Sequence, residues 1–392
     1  MSRPLPRIAP PDPDRLPEVG AALAARAGEN DREAAFPYDG VAAAHQAGLL
    51  TATVAERYGG PGGGLAETVR ILQVLGAGDP AVALVTAMTL FAHAAQARDG
   101  SWPERAYERL AADSAERPVL VNALRVEPEL GTPIRGGLPA TVARRRGGHW
   151  ELSGHKIFCT GAEALGWMLV WARTEDEAAR VGSFLVRGGS EGLRIARTWD
   201  HLGLRASRSD DVLLDAVRVP ADDVIGLAEP GAGGGRDTAG GAWNALGLSA
   251  MYLGVARAAQ HWLTGFLHER TPTALGAPLA TLPRFQSAVG EIDVALSGAE
   301  RLVAALAEAA DAGDPTGAEQ AGGAKLLATR AAIGAVEQAV ALVGNNALTR
   351  ANPLQRHLRD VLCSRVHTPQ DDTVLLTAGR TALARRTLTE GT

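Results

Sequence analysis

The sequence predicts an α+β protein in three parts: a helical N-terminal block, a small β-domain and a C-terminal helical bundle. Three observations carry this. From about Asp14 to Ala112 the chain is alanine-rich, with apolar residues at helical period. From Pro118 to about Ile225 short β-branched runs are bounded by Gly, Pro and Asp. After Trp243 the helical period returns and holds to the end. We divide the 392 residues into 1–117, 118–225, a Gly-rich linker at 226–241, and 242–392, in line with two or three domains for this length.

In the first block, loops fall at Asp39-Gly40 and Gly59–Gly64. Asp79-Pro80 before Ala-Val-Ala-Leu-Val reads as a helix start, with Asp79 as N-cap and Pro80 in the first turn. The stretch Pro80–Ala97 carries Thr86, Thr89, His93 and Gln96, so it reads as a buried helix rather than a membrane span. Strands are expected at Val119–Leu124, His149–Leu152, Trp167–Ala172, Val181–Val186 and Val212–Leu214. Arg144-Arg-Arg-Gly-Gly reads as a hairpin tip, and Ser153-Gly154 as a second tight turn between two strands. Strands so spaced, without helices between them, predict a small sandwich or barrel. Helices are expected at Trp243–Glu269, Leu282–Ala310, Ala318–Val343 and about Pro369 to Arg385; short loops between long helices predict an antiparallel bundle.

Composition narrows the function. With 46% apolar and 21% charged residues the chain is expected to fold and stay soluble. A net charge of −5 argues against a nucleic-acid partner. Two cysteines, Cys159 and Cys363, make no disulfide framework or zinc site, and Cys159 reads as a packing residue. No basic-then-apolar leader opens the sequence, so a cytoplasmic location without a membrane partner is expected. Only Lys156 and Lys325 among 39 basic residues are lysine, a skew that reads as codon bias.

Several segments, in order, resemble the acyl-CoA dehydrogenase superfamily across nearly the whole chain. They are Tyr58-Gly59-Gly60, Glu127-Pro128-Glu-Leu-Gly131-Thr132, Lys156-Ile-Phe158-Cys-Thr160, Leu202-Gly203 to Ser207 with Val217 to Pro220, and Asn352-Pro353 with Arg359-Asp360. The resemblance implies a flavoprotein with that family's fold: N-terminal helices, a central β-domain and a four-helix bundle. It implies that Thr160 meets flavin N5, that Phe158, two residues away and so expected on the same strand face, packs near the ring, and that Val126, Gly131 and Thr132 line flavin and diphosphate. Arg270 matches the arginine that contacts a neighbouring subunit's cofactor, and Gly344 the loop beside it. A homodimer or homotetramer follows. The family's phenylalanine after that arginine is missing, and Asn345 replaces a glycine after Gly344. The expected cofactor is therefore FAD, with FMN as the alternative.

Desaturating an acyl thioester needs a carboxylate base for the α-proton, an acid–base contribution of about 10²–10⁴ in rate. The resemblance places it nine residues after Arg359, which is Thr368, or ten before Gly254, which is Asn244. Neither is an acid. The reduced-flavin monooxygenases of the dibenzothiophene type lack that glutamate too. They carry a histidine eight residues after the arginine, in an H-x-P context, as in His367-Thr-Pro369. A histidine there can hold or donate a proton during oxygen chemistry. His93 is a second catalytic candidate, expected to face the same cavity. The expected activity is thus a flavin-dependent oxygenase on a small organic or carrier-bound substrate, served by a flavin reductase. The alternatives are a dehydrogenase of acyl thioesters using Asp371 or Glu163 as base, and an inactive assembly partner.

Overall fold

The computed structural model of the chain describes residues 8–130, 137–176, 178–231 and 237–389, with side chains through residue 384. Five helices form the N-terminal block: α1 (Leu16–Glu33), α2 (Tyr38–Gln46), α3 (Leu65–Gly78), α4 (Pro80–Asp99) and α5 (Glu104–Glu116). Asp79 caps α4 by accepting the Ala81 N–H at 2.9 Å, with Pro80 in the first turn. The same carboxylate accepts from Asn30 Nδ2 at 3.1 Å, tying α4 to α1. Most of α4 is buried. It packs on the β-domain as well as on its own block, which is why it lacks a polar face.

The β-domain contains β1 (Leu120–Leu124), β2 (Val142–Arg146), β3 (His149–Lys156), β4 (Leu165–Thr174), β5 (Val181–Arg187), β6 (Leu193–Ala196), β7 (Asp211–Pro220) and β8 (Val224–Ala228). They form one sheet in the order β6-β7-β3-β2-β4-β5-β8, with β1 parallel to β4. The sheet curls over itself: Trp150 on β3 meets Phe184 on β5 at a ring distance of 5.4 Å, although β2 and β4 lie between those strands. The Gly147-Gly148 tip joins β2 to β3 as expected. The turn expected at Ser153-Gly154 is not there. β3 runs through both residues, and the register against β7 shifts between Leu152 and Gly154. A Cβ on Gly154 would lie 2.4 Å from Thr141 Oγ1, so this glycine permits close strand approach at a bulge rather than a reversal.

The C-terminal part comprises α6 (Thr238–Glu269), α7 (Pro283–Asp311), α8 (Pro315–Glu319), α9 (Ala321–Val343), α10 (Asn345–Leu348), α11 (Leu354–Leu362) and α12 (Asp371–Thr389). The expected helix at Ala318–Val343 is divided into α8 and α9, and the expected 226–241 linker is shorter, since β8 reaches Ala228 and α6 begins at Thr238. α9 and α4 are both long and apolar enough to cross a membrane by composition, but α4's apolar window is 72% buried within the fold. α6 packs against α7, α9 and α11, and also against α3. At that crossing a Cβ on Gly254 would lie 2.1 Å from the Gln73 carbonyl oxygen, and one on Gly76 2.2 Å from that of Met251. The two helices touch backbone to backbone, which merges the N-terminal block and the bundle into one core.

Gly254→Val forces these helices apart. The expected loss is about 3 kcal/mol, the upper range for overpacking, read as a lower denaturant midpoint with unchanged m-value. An unshifted midpoint would contradict the close crossing.

Candidate functional site

The site begins with two segments clamped by a buried ion pair. Glu127 follows β1, and Lys156 ends β3; both are almost wholly buried. Lys156 Nζ donates to Glu127 Oε1 at 2.6 Å and to the Trp171 carbonyl at 2.6 Å. Glu127 also accepts from the Ala140 N–H, the Thr141 N–H and the Thr141 hydroxyl. Burial pushes the Glu127 carboxyl up, but the hydrogen bonds from Lys156 and Thr141 outweigh it and hold the group below its usual range. Burial lowers Lys156, partly offset by Glu127. Beside this clamp the Ile157 N–H donates to the Val126 carbonyl at 3.0 Å, so Val126 lies against the start of the 157–160 segment.

Phe158 and Thr160 do not share a strand face, because β3 ends at Lys156. Phe158 takes a left-handed φ of +57°, uncommon for a bulky residue. The residue is 53% exposed, its ring in edge contact with Trp199 and His201, which stack at 3.6 Å. Thr160 is held differently. Asn122 Nδ2 donates to its carbonyl at 3.1 Å. The Ser209 hydroxyl donates to Thr160 Oγ1 at 3.1 Å, and Ser207 bonds Ser209 at 2.9 Å. With its oxygen already accepting, Thr160 has its own proton to give to an outside group. An exposed ring held in strain and a hydroxyl donor two residues on fit a flavin's face and its N5 edge. Between them Cys159 is buried and its thiol is pushed up, as befits a packing cysteine. Gly131 and Thr132 lie outside the described residues.

The loop after β6 joins this wall to α11. Asp360 accepts the Leu204 N–H at 2.7 Å; Arg359 donates to the Leu202 carbonyl at 2.7 Å and grips Asp31 with two nitrogens. A short turn after α11 then delivers His367 and Thr368. His367 Nδ1 meets the Tyr252 hydroxyl of α6 at 2.8 Å. Burial, with Lys325 nearby, lowers its pKa to about 4, leaving it neutral near pH 7. Asn244, also on α6, donates through Nδ2 to the Thr368 carbonyl at 2.6 Å and approaches its hydroxyl at 3.4 Å. The two positions that the resemblance marks for a base, 124 residues apart in sequence, therefore meet in space.

The other candidate acids have partners of their own. Asp371 faces Lys325 at 3.9 Å and Arg330 at 3.6 Å. Glu163 bonds Arg197 and Tyr38. His93 is fully buried, bonded through Nδ1 to Tyr107 at 2.8 Å, and its Nε2 has no partner. Burial lowers it to about 4. Its ring packs on Tyr107, in an aromatic cluster with Trp102, and among the described residues no hydrogen bond or ring contact links it to His367. Arg270 and Gly344 are exposed at the C-terminal ends of α6 and α9. The two lysines also gain a reason: both are buried, Lys156 against Glu127 and Lys325 against the Ser364 carbonyl at 3.0 Å, so the skew is not codon bias alone. Sequence reasoning missed the roles of Glu127, Ser209 and Tyr252. Glu127 and Lys156 stood in the motifs and could have been paired; nothing in the sequence marks Tyr252.

Models of the acyl-CoA dehydrogenase N-terminal, middle and C-terminal domains match residues 19–101, 126–217 and 246–371. The chain is 31% identical to the putative acyl-CoA dehydrogenase YdbM of Bacillus subtilis over 89% of its own length and 90% of that protein. It is 29% identical to the amino sugar nitrososynthase DnmZ of Streptomyces peucetius, over 89% and 86%. The solved structure of KijD3 in complex with FMN and a dTDP-linked amino keto sugar superposes with a TM-score of 0.81 at 27% identity, covering 98% of this chain and 97% of that one.

Two stability effects follow from this geometry. Lys156→Met leaves the Glu127 carboxylate buried without its cation, at an expected cost of about 3–5 kcal/mol; the paired change with Glu127→Gln should recover part of it in chemical denaturation. His93, His357 and His367 are held at about 4, 3 and 4, below the unfolded value of about 6.5. The unfolded chain thus binds more protons between about pH 4 and 6.5, and stability falls as pH drops through that window. Asp360, lifted by burial to about 7, acts oppositely, favouring the fold at low pH. His93→Gln should flatten the acid slope by about 1.4 kcal/mol per pH unit, measured from unfolding midpoints across the window.

Proposed function

Because the chain belongs to the acyl-CoA dehydrogenase family, we propose that it is a flavin-dependent oxidoreductase working as a monooxygenase with reduced flavin rather than as a desaturase. The observation that carries this is the contact between Asn244 and Thr368. Both positions from which a family glutamate would reach the substrate's α-proton are filled, they touch each other, and neither can take a proton near neutral pH. The two other acids considered, Asp371 and Glu163, are engaged by cations.

Reduced flavin, FAD or FMN, supplies the electrons when bound. Phe158 would hold one face of the ring and Thr160 would offer a proton to its N5 edge, with Val126 alongside. Arg270 and Gly344 would hold the phosphate end of a neighbouring subunit's cofactor, in a homodimer or homotetramer. α12 leaves Leu376 and Leu383 exposed, 55% and 76%, which is consistent with such an assembly. His367 would itself be the proton donor beside the reacting edge. The likeness to DnmZ, a nitrososynthase, and to FMN-bound KijD3 supports a flavin put to work other than desaturation. The substrate is a small organic or carrier-bound molecule, the electrons come through a flavin reductase, and the setting is the cytoplasm. The identity to YdbM favours one second reading, an acyl-CoA dehydrogenase with a non-standard base.

Anaerobic mixing of the FAD-loaded protein with straight-chain acyl-CoAs separates the two: no prompt bleaching of the flavin is expected, and prompt bleaching restores the dehydrogenase. His367→Ala should keep the fold and flavin binding. On mixing reduced FMN and protein with oxygen, hydrogen peroxide release should rise relative to the unaltered protein, and product formation should fall by about 10²-fold, the scale of a lost acid–base group. Unchanged peroxide release would remove the oxygenase reading's main support.

A further inference from the structure

His367 has one nitrogen already spoken for. The Tyr252 hydroxyl lies 2.8 Å from Nδ1, and Tyr252 is 1% exposed in the middle of α6. Either group could donate in principle, so the direction must come from the surroundings. Burial, with Cys363 and Asp360 nearby, pushes the phenol well above its ordinary pKa, so it keeps its proton. A buried O–H needs an acceptor. Among the described residues the only hydrogen bond of the Tyr252 hydroxyl is to His367 Nδ1. The Asp360 carboxylate nearby is taken by the Leu204 N–H, and the Cys363 thiol is directed to the Arg359 carbonyl. If Nδ1 carried the proton, the phenol's own hydrogen would be left buried and unpaired, costing about 1–3 kcal/mol.

We propose that Tyr252 is a positioning residue that locks His367 in the Nε2–H tautomer, so that its outer nitrogen is a hydrogen-bond donor and never an acceptor. Each charged group around the ring agrees. Lys325, from α9, lies near enough to oppose the imidazolium, and its ammonium is anchored on the Ser364 carbonyl in the turn just before His367. Asp371, at the start of α12, faces Lys325 rather than the imidazole. A doubly protonated ring would meet a cation on one side and would orphan the phenol hydrogen on the other. The catalytic use of that donor rests on the oxygenase reading above; the tautomer itself does not.

The test is a long-range 1H–15N spectrum of the full-length protein labelled with 15N-histidine, the His367 signals being identified by their loss in His367→Gln. The unaltered protein should show an unprotonated Nδ1 and a protonated Nε2, unchanged over about pH 5 to 8, where an unperturbed histidine titrates. Tyr252→Phe should give a mixture of both tautomers. Lys325→Met should keep the tautomer while the His367 pKa rises only modestly from about 4, burial remaining the main cause of its depression. A protonated Nδ1 in the unaltered protein overturns the proposal, as does an unmixed Nε2–H tautomer in Tyr252→Phe, or a tautomer change in Lys325→Met. None of these readings needs turnover. A His367→Ala protein with normal peroxide release would therefore remove the oxygenase reading and leave the tautomer lock standing.

Discussion

The Glu127–Lys156 ion pair is the constraint from which the rest of the site is hung. Two charges inside a protein cost several kcal/mol each to desolvate, and they stay only where their remaining hydrogen bonds are met. Here they are met by Thr141, Ala140 and the Trp171 carbonyl. A pair of apolar residues could fill the same volume, but it would not dictate which atom faces which. The ion pair does. It fixes the chain after β1 against the end of β3, so Val126 and Ile157 pair and the backbone must turn at Phe158 into a left-handed conformation. The exposed ring and the Thr160 hydroxyl are consequences of that turn.

α11 supplies the second constraint. Its Arg359 binds Asp31 of the N-terminal block and the Leu202 carbonyl of the β-domain, while Asp360 holds the Leu204 N–H. All three parts of the chain are thus held by adjacent residues on one helix, and the segment that follows has little freedom in where it places His367 and Thr368. The two lysines belong to the same economy of donors. Lys325 donates to one carbonyl, that of Ser364, where an arginine's five N–H groups would ask for more acceptors.

The architecture was legible because periodicity and punctuation changed twice along the chain, and because Asp79-Pro80 and the Gly147-Gly148 tip carry their geometry in their residue types. Ser153-Gly154 misled for a physical reason. A Ser-Gly pair inside a strand serves a bulge as well as a turn, and the choice depends on Thr141, a dozen residues earlier. Phe158 and Thr160 were found through their motif, but their assignment to one strand face assumed β3 continued; the clamp at Lys156 ends it. Tyr252 was not legible at all. A tyrosine in the middle of an apolar helix looks like core packing, and only the arrival of His367, 115 residues later, gives its hydroxyl a purpose.

What unites these groups is the direction in which protons can move. Thr160 accepts from Ser209 and so can donate outward. Asn244 spends its amide hydrogens on Thr368, and His367, with Nδ1 occupied by a phenol, has only Nε2–H to present. The acids near them are committed: Asp360 to the Leu204 N–H, Asp371 beside two cations, Glu127 to Lys156. Desaturation asks a site to remove a proton from carbon, which requires a free acceptor of suitable basicity. A site walled by donors does the reverse: it steadies negative charge that develops on an oxygen or nitrogen atom and can return a proton to it. On the proposed reading the substitution of both family base positions and the Tyr252–His367 contact are one feature: each puts a committed group where a base would stand.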